Sequence, residues 1–383
     1  MEDKTMRNFF GNLLTEQEAR DKIEGRDDLK ELFESWNARQ QQEYLDRCTG
    51  KKGCNILYDA YFKEVMNPEY DSTRLESFLE VIIGEPVKIL KLLPNDGVRL
   101  EDENTLLVTD IVVELSDGSI ANVEVQKIGY MFAGSRCSCY LSDMMLRQYK
   151  RIRAREKKSF SYGKIKKVYL IVLYETSPRE LRAMPDTYLH RSKHIFDTGL
   201  GVDLLQRCIL IPLDIFRENM QNKPISTLQE AWLTFLSERD PERLAELFRA
   251  FPQFIAMYET LYSMDKDMVR AMGFFSKELR IMDENTVRYM IDEMEGTIDR
   301  LQGEKDELEN RKSQLESQNS ELESQNSELE SQNSELESQN SELESQNSEL
   351  ESQNSELESR KNQLEAENDR LRAELQKYRS MQQ

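Results

Sequence analysis

The sequence is poor in residues on which much protein chemistry depends. Histidine occurs twice in 383 residues, at His190 and His194. Their i, i+4 spacing could put both on one helix face, but no third ligand is signalled nearby, so a zinc site has little to stand on. Cysteine occurs five times, at Cys48, Cys54, Cys137, Cys139 and Cys208. That is no disulfide framework for a chain of this length, and Cys137-Ser138-Cys139 lacks a second pair at zinc-like spacing, so free thiols on or near a helix are expected. No apolar run approaches the roughly 20 residues of a membrane span. The start Met1-Glu2-Asp3-Lys4 lacks the basic-then-apolar layout of a secretory signal. The expectation is a cytoplasmic protein with no membrane partner. The phosphate-cradling glycine motifs and the nucleophile elbow are also missing, which argues against nucleotide-driven and acyl-transfer chemistry.

What is abundant is charge. Hydrophobic residues make up 38% of the chain and charged residues 32%, with a net charge of -20, so a polar segment must dilute an ordinary core. That segment is the C-terminal tail, where Gln-Asn-Ser-Glu-Leu-Glu-Ser repeats from about Gln318 to Ser359. Seven residues is the coiled-coil period. With leucine at position d, eleven leucines from Leu301 to Leu371 keep one register, and Asn319, Asn326, Asn333, Asn340, Asn347 and Asn354 fall at position a. The seam therefore reads Leu315, Asn319, Leu322, Asn326, Leu329 and onward. Asparagine at a fixes register in a parallel dimer at a cost in stability. Two readings follow: a weak parallel two-stranded coil forming a homodimer, or a solvated single helix.

The expected domain order is an N-terminal helical segment over 1–50, an α/β domain over 51–225, a helical support block over 226–282, a coiled coil over 283–378 and a disordered tail over 379–383. In the first segment Leu29, Leu32, Phe33 and Trp36 have helical spacing, suited to packing on the next domain. The support block carries the stripe Leu228, Trp232, Phe235 and Leu236. Two nearly apolar runs, Lys167–Tyr174 and Cys208–Leu213, read as central strands.

The chemistry concentrates in one hairpin. Thr105–Leu115 (TLLVTDIVVEL) and Ser119–Lys127 (SIANVEVQK) read as strands joined at Ser116-Asp117-Gly118. Asn122, Glu124 and Gln126 share one face of the second strand, and Asp110 and Glu114 share a face of the first. Register decides whether these acids meet. A two-residue loop pairs Asp110 with Val125. A three-residue loop with Gly118 left-handed pairs it with Glu124. Opposed β-carbons lie about 5 Å apart, and two carboxylates that close repel unless a proton or cation separates them. Mg2+ suits the position, because it takes one or two carboxylates and completes its shell with water and phosphate oxygen. Glu114 is either a further metal neighbour or one half of a solvated pair with a basic residue.

The order Asp59-Ala60-Tyr61-Phe62-Lys63, the helix around Phe78-Leu79-Glu80, Asp110, the Asp117-Gly118 turn and Glu124-Val125-Gln126 resembles the PD-(D/E)xK nuclease family transposases, also called recombination-promoting nucleases. The likeness covers roughly Asn55 to Arg217, more loosely to about Met282, and not the repeats. It implies a restriction-endonuclease-like α/β fold, a mixed sheet flanked by helices, followed here by the helical block and the long C-terminal coiled coil. It further implies magnesium-dependent endonucleolytic hydrolysis of DNA, with Asp110 and Glu124 holding the metal and the Val125 carbonyl adding a ligand. Gln126 stands where the superfamily has lysine; it can orient water but brings no positive charge. Lys127 points to the other face of an ideal strand. Asp59 is a further catalytic candidate, or a structural element of the first helix, and Glu80 is an alternative to it.

Arg147 to Lys167 carries ten basic residues and one acidic residue. Arg147, Gln148, Lys150, Arg151, Arg153, Arg155, Lys157 and Lys158 are thus candidates for DNA contact, the alternative being a solvated helix end. A catalytically inactive nucleic-acid-binding scaffold on the same fold is the competing function.

Overall fold

The computed structural model describes residues 6–11, 13–94, 111–127, 133–265 and 267–381. Three helices open the chain, α1 (Glu16–Glu24), α2 (Asp27–Glu34) and α3 (Ala38–Thr49). Thr15 with Glu18 and Asn37 with Gln40 form reciprocal capping boxes that start α1 and α3. Next come α4 (Asp59–Val65) and α5 (Pro68–Ile83), the latter opened by proline and closed by Gly84 at φ 83°. The strands are β1 (Ile89–Leu92), β2 (Ile111–Leu115), β3 (Ile120–Gln126), then, after helix α6 (Ala133–Glu156), β4 (Val168–Tyr174). Helix α7 (Arg179–Arg182), β5 (His190–Arg191) and β6 (Gln206–Pro212) complete the α/β part. Helices α8 (Leu213–Met220), α9 (Leu228–Ser237), α10 (Pro241–Ala250), α11 (Gln253–Asp265) and α12 (Met268–Met381) follow.

The sheet order is β1-β2-β3-β4-β6-β5. The first three strands are antiparallel neighbours, β3-β4 and β4-β6 are parallel, and β5 returns antiparallel to β6. The expected run at 167–174 is thus a central strand. Strands β1 and β5 were not anticipated, since four and two residues are too short to show a period. The sheet is covered on both sides, which explains why β4 is buried at every position. Tyr169, Ile171 and Leu173 enter a large core shared with α3, α5, α9, α10 and α11. Val168, Leu170, Val172 and Tyr174 enter a smaller one with Cys137, Tyr140 and Met144 of α6. Trp36 packs edge-on to Phe275 at 4.9 Å, so the N-terminal segment does dock on the rest.

The hairpin closes with Gly118 N–H donating to Leu115 O (2.9 Å) and Leu115 N–H to Ser119 O (2.8 Å), a three-residue loop with Gly118 at φ 88°. The pairs Ile111↔Val123 and Val113↔Ala121 follow from it. Asp117 braces the loop by accepting from the Ser119 N–H (2.9 Å) and hydroxyl (2.7 Å). Only glycine adopts this φ at no steric cost. Gly118→Ala should therefore destabilise the protein by about 1–2 kcal/mol, visible as a lower urea midpoint; an unchanged midpoint would mean the turn tolerates a side chain.

The tail helix departs from expectation at both ends. It begins at Met268, not near Asp283, because Met268, Ala271, Met272 and Phe275 on its first turns are buried in the core, and it continues to Met381 through residues expected to be disordered. Backbone contacts divide the chain into two units, Met1–Thr297 and Ile298–Gln383. Along the second unit the d-position leucines are exposed in the single chain, Leu315, Leu322 and Leu329 at 53%, 57% and 58%. Among the described residues no helix is long and apolar enough to cross a membrane.

Candidate active site

Glu124 lies on the α6 side of β3, between Asn122 and Gln126, and all three side chains are buried. Asn122 Nδ2 stands 3.4 Å from one carboxylate oxygen and Gln126 Nε2 3.5 Å from the other, both longer than an ordinary N–H···O bond. The parallel register sets Glu124 beside Val172 and Gln126 beside Tyr174. Arg136, Cys137 and Tyr140 on α6 face them, and these seven residues line a small cleft. Burial and the Glu124 carboxylate, to which its hydroxyl donates, hold Tyr140 well above the usual phenol range, so it keeps its proton. Arg136 Nη2 donates to the Tyr140 hydroxyl at 3.5 Å.

Asp110 lies outside the described residues. Glu124 fits a hard divalent cation in kind, being a buried carboxylate. Among the described residues no group of three or more histidine, cysteine, aspartate or glutamate side chains could hold a metal.

Other expected site residues are placed elsewhere. Asp59 does not line the cleft. It is the first residue of α4 and pairs with Lys63 (2.5 Å) and Lys277 (3.6 Å). Glu80 accepts from the Val87 N–H at 3.1 Å, a loop contact. Lys127 does turn to the far face of the sheet, where it pairs with the carboxylate of Glu278 on α12 and lies 5.0 Å from the centre of the Tyr58 ring. Glu114 is paired as expected, with Arg151 (3.1 Å) and Lys91 (3.6 Å), but it is buried and not solvated. His190 sits on β5 and His194 lies beyond it outside any helix, so the helical pair does not form. All five cysteines are free thiols; Cys137 is buried and Cys139 exposed, both on α6.

The basic segment divides in two. Arg147 and Arg151 are half-buried and neutralise Asp143 (2.7 Å) and Glu114. Gln148, expected on a DNA-contacting surface, is completely buried: its amide nitrogen donates to Gly118 O (3.1 Å) and its oxygen accepts from the Lys166 N–H (3.0 Å). It ties α6 to the hairpin turn, six residues or about 20 Å along β3 from Glu124. Lys150, Arg153, Arg155, Lys157 and Lys158 are exposed. Beside them the exposed Tyr162 stacks on Tyr149 with centroids 6.4 Å apart, and the Arg153 guanidinium lies 5.7 Å from the Tyr149 ring centre.

A mixed six-stranded sheet covered by helices, with a buried glutamate on a central strand beneath the crossover helix, defines a restriction-endonuclease-like α/β domain. The family model of the PD-(D/E)XK nuclease family transposases matches residues 56–293, and the chain belongs to that family. The match starts where the sequence likeness starts and runs past Met282 further along α12. No curated protein and no solved structure matches the chain.

Proposed function

We propose that this protein is a magnesium-dependent DNA endonuclease of the recombination-associated type, dimerised through a parallel C-terminal coil. The observation that carries the reading is the buried Glu124 on the second strand of a hairpin closed by a three-residue turn, the turn for which the sequence pairs Asp110 with Glu124. Asp110 and Glu124 would hold the ion, with the Val125 carbonyl as an added ligand. When bound, a divalent ion polarises the scissile phosphate and lowers the pKa of a water for in-line attack. The chain supplies the rest. Gln126 orients the attacking water, Tyr140 fixes the Glu124 carboxylate, and Lys150, Arg153, Arg155, Lys157 and Lys158 offer an exposed basic surface to the DNA backbone. Arg147 and Arg151 brace that surface through Asp143 and Glu114. The eleven exposed leucines in one register support self-association.

Plasmid nicking tests this. Supercoiled DNA should be nicked with Mg2+, not with EDTA, and both Glu124→Ala and Asp110→Asn should lose about 10³-fold or more of that rate; unchanged nicking in both variants rejects the assignment. The uncharged Gln126 favours a second reading, a binding scaffold on the same fold. It expects salt-sensitive DNA binding with no magnesium requirement and no nicking.

A further inference from the structure

Phosphodiester hydrolysis adds negative charge at the scissile phosphate as the transition state forms, and a fixed cation there acts on the rate directly. In β3 the residue two places beyond the metal-site glutamate is the neutral Gln126, and the adjacent Lys127 is committed to Glu278 across the sheet. Neither supplies that charge. The cleft contains one cationic side chain among its described lining residues, Arg136. It lies in the first turn of α6, one turn before Tyr140, so both project from the same helix face, and its guanidinium bonds to the hydroxyl that itself donates to Glu124. Glu124 and Tyr140 are buried while Arg136 is exposed. A guanidinium at the mouth can therefore reach a substrate phosphate that the carboxylate below cannot touch directly. The helix start adds to this, since exposed N–H groups of a first turn favour an anion.

We propose that Arg136 is a catalytic residue that contacts the scissile phosphate and supplies the positive charge absent from position 126. The planar fork of donors binds two phosphate oxygens at once, and it stands 3.5 Å from the Tyr140 hydroxyl, beside the Glu124 centre. The inference rests on the endonuclease reading and names the residue that completes it. It also assigns different work to α6 at its two ends: chemistry at Arg136 and Tyr140, and bracing of the hairpin turn at Gln148.

Three variants of the full chain, Arg136→Gln, Arg136→Lys and Arg136→Ala, test it in magnesium-dependent plasmid nicking. Arg136→Gln should lower kcat by about 10²-fold with little change in KM, because the exposed lysines and arginines further along the chain still hold the DNA backbone. Arg136→Lys should fall between, keeping charge without the fork. Millimolar guanidinium chloride should restore part of the kcat of Arg136→Ala and leave the wild type unaffected, a rescue that a merely structural arginine would not give. Thermal melting should be the same in all four proteins, since the side chain is exposed. Wild-type kcat in Arg136→Gln, or a loss confined to KM with a shallower salt dependence, would overturn the assignment and leave the endonuclease reading intact. A wild type that does not nick at all would overturn both.

Discussion

Glu278→Ala should destabilise the folded chain by about 3–5 kcal/mol, the larger part of an ordinary domain's stability. The carboxylate is 1% exposed and performs two tasks. It faces the Lys127 ammonium just beyond β3, and it accepts the Asp59 N–H at 2.8 Å, the first backbone donor of α4. Truncation deprives the largely buried lysine of the charge opposite it and leaves a helix-start N–H unbonded, and each of those losses costs more than the pair gains when intact. The double variant Glu278→Leu, Lys127→Leu should be more stable than Glu278→Ala alone, because both desolvated charges are then gone. Urea unfolding of the three proteins checks this. A loss below about 1 kcal/mol for the single variant would mean that water reaches the pair and screens it.

Trp232→Ala should cost a similar amount, about 3–5 kcal/mol. The indole is 1% exposed, with the rings of Phe254, Phe78 and Phe235 at 4.9, 5.7 and 5.9 Å, and its N–H donates to Ser77 Oγ at 3.1 Å. Phe78 and Ser77 belong to α5, so this one side chain joins the helical block to the α/β part. Trp232→Phe keeps most of the buried area and loses one hydrogen bond, and should cost about a third as much. The contrast separates packing from polar contact, and equal losses in the two variants would assign the effect to the Ser77 bond. The same measurement tests whether the block over 226–282 acts as a support.

Local pattern carried the reading of the hairpin a long way. Glycine at the third loop position selects the three-residue turn, and the turn selects the face on which Glu124 stands. The unbroken apolar run of β4 named its environment correctly, because burial on both sides of a sheet leaves a direct trace, whereas the alternation along β3 did not show that its polar face is buried as well. Strands β1 and β5 left none. They are edge strands of four and two residues, recruited by pairing with β2 and β6. The start of α12 was misplaced for a different reason: Asp283 marks where a core-facing stripe gives way to heptads, a change of surroundings within one uninterrupted helix. The partners of charged groups were the least legible. Lys127 meets Glu278, and Glu114 meets Arg151 and Lys91, across separations that no periodicity encodes. Arg136 likewise joins the cleft only because α6 runs back over β3, which alone distinguishes it from the other basic residues of that helix.

The heptads from about Gln318 to Ser359 are nearly identical copies. Two parallel strands displaced by one whole copy would again match leucine with leucine and asparagine with asparagine along most of their length, so the interior cannot tell one alignment from the next. Uniqueness would have to come from the unlike ends, where Lys305, Lys312, Lys361 and Leu375 break the monotony. Adding or deleting a copy alters the helix by about 10 Å and changes nothing else, so the tail behaves as a spacer whose length can drift in fixed steps while the folded body stays the same.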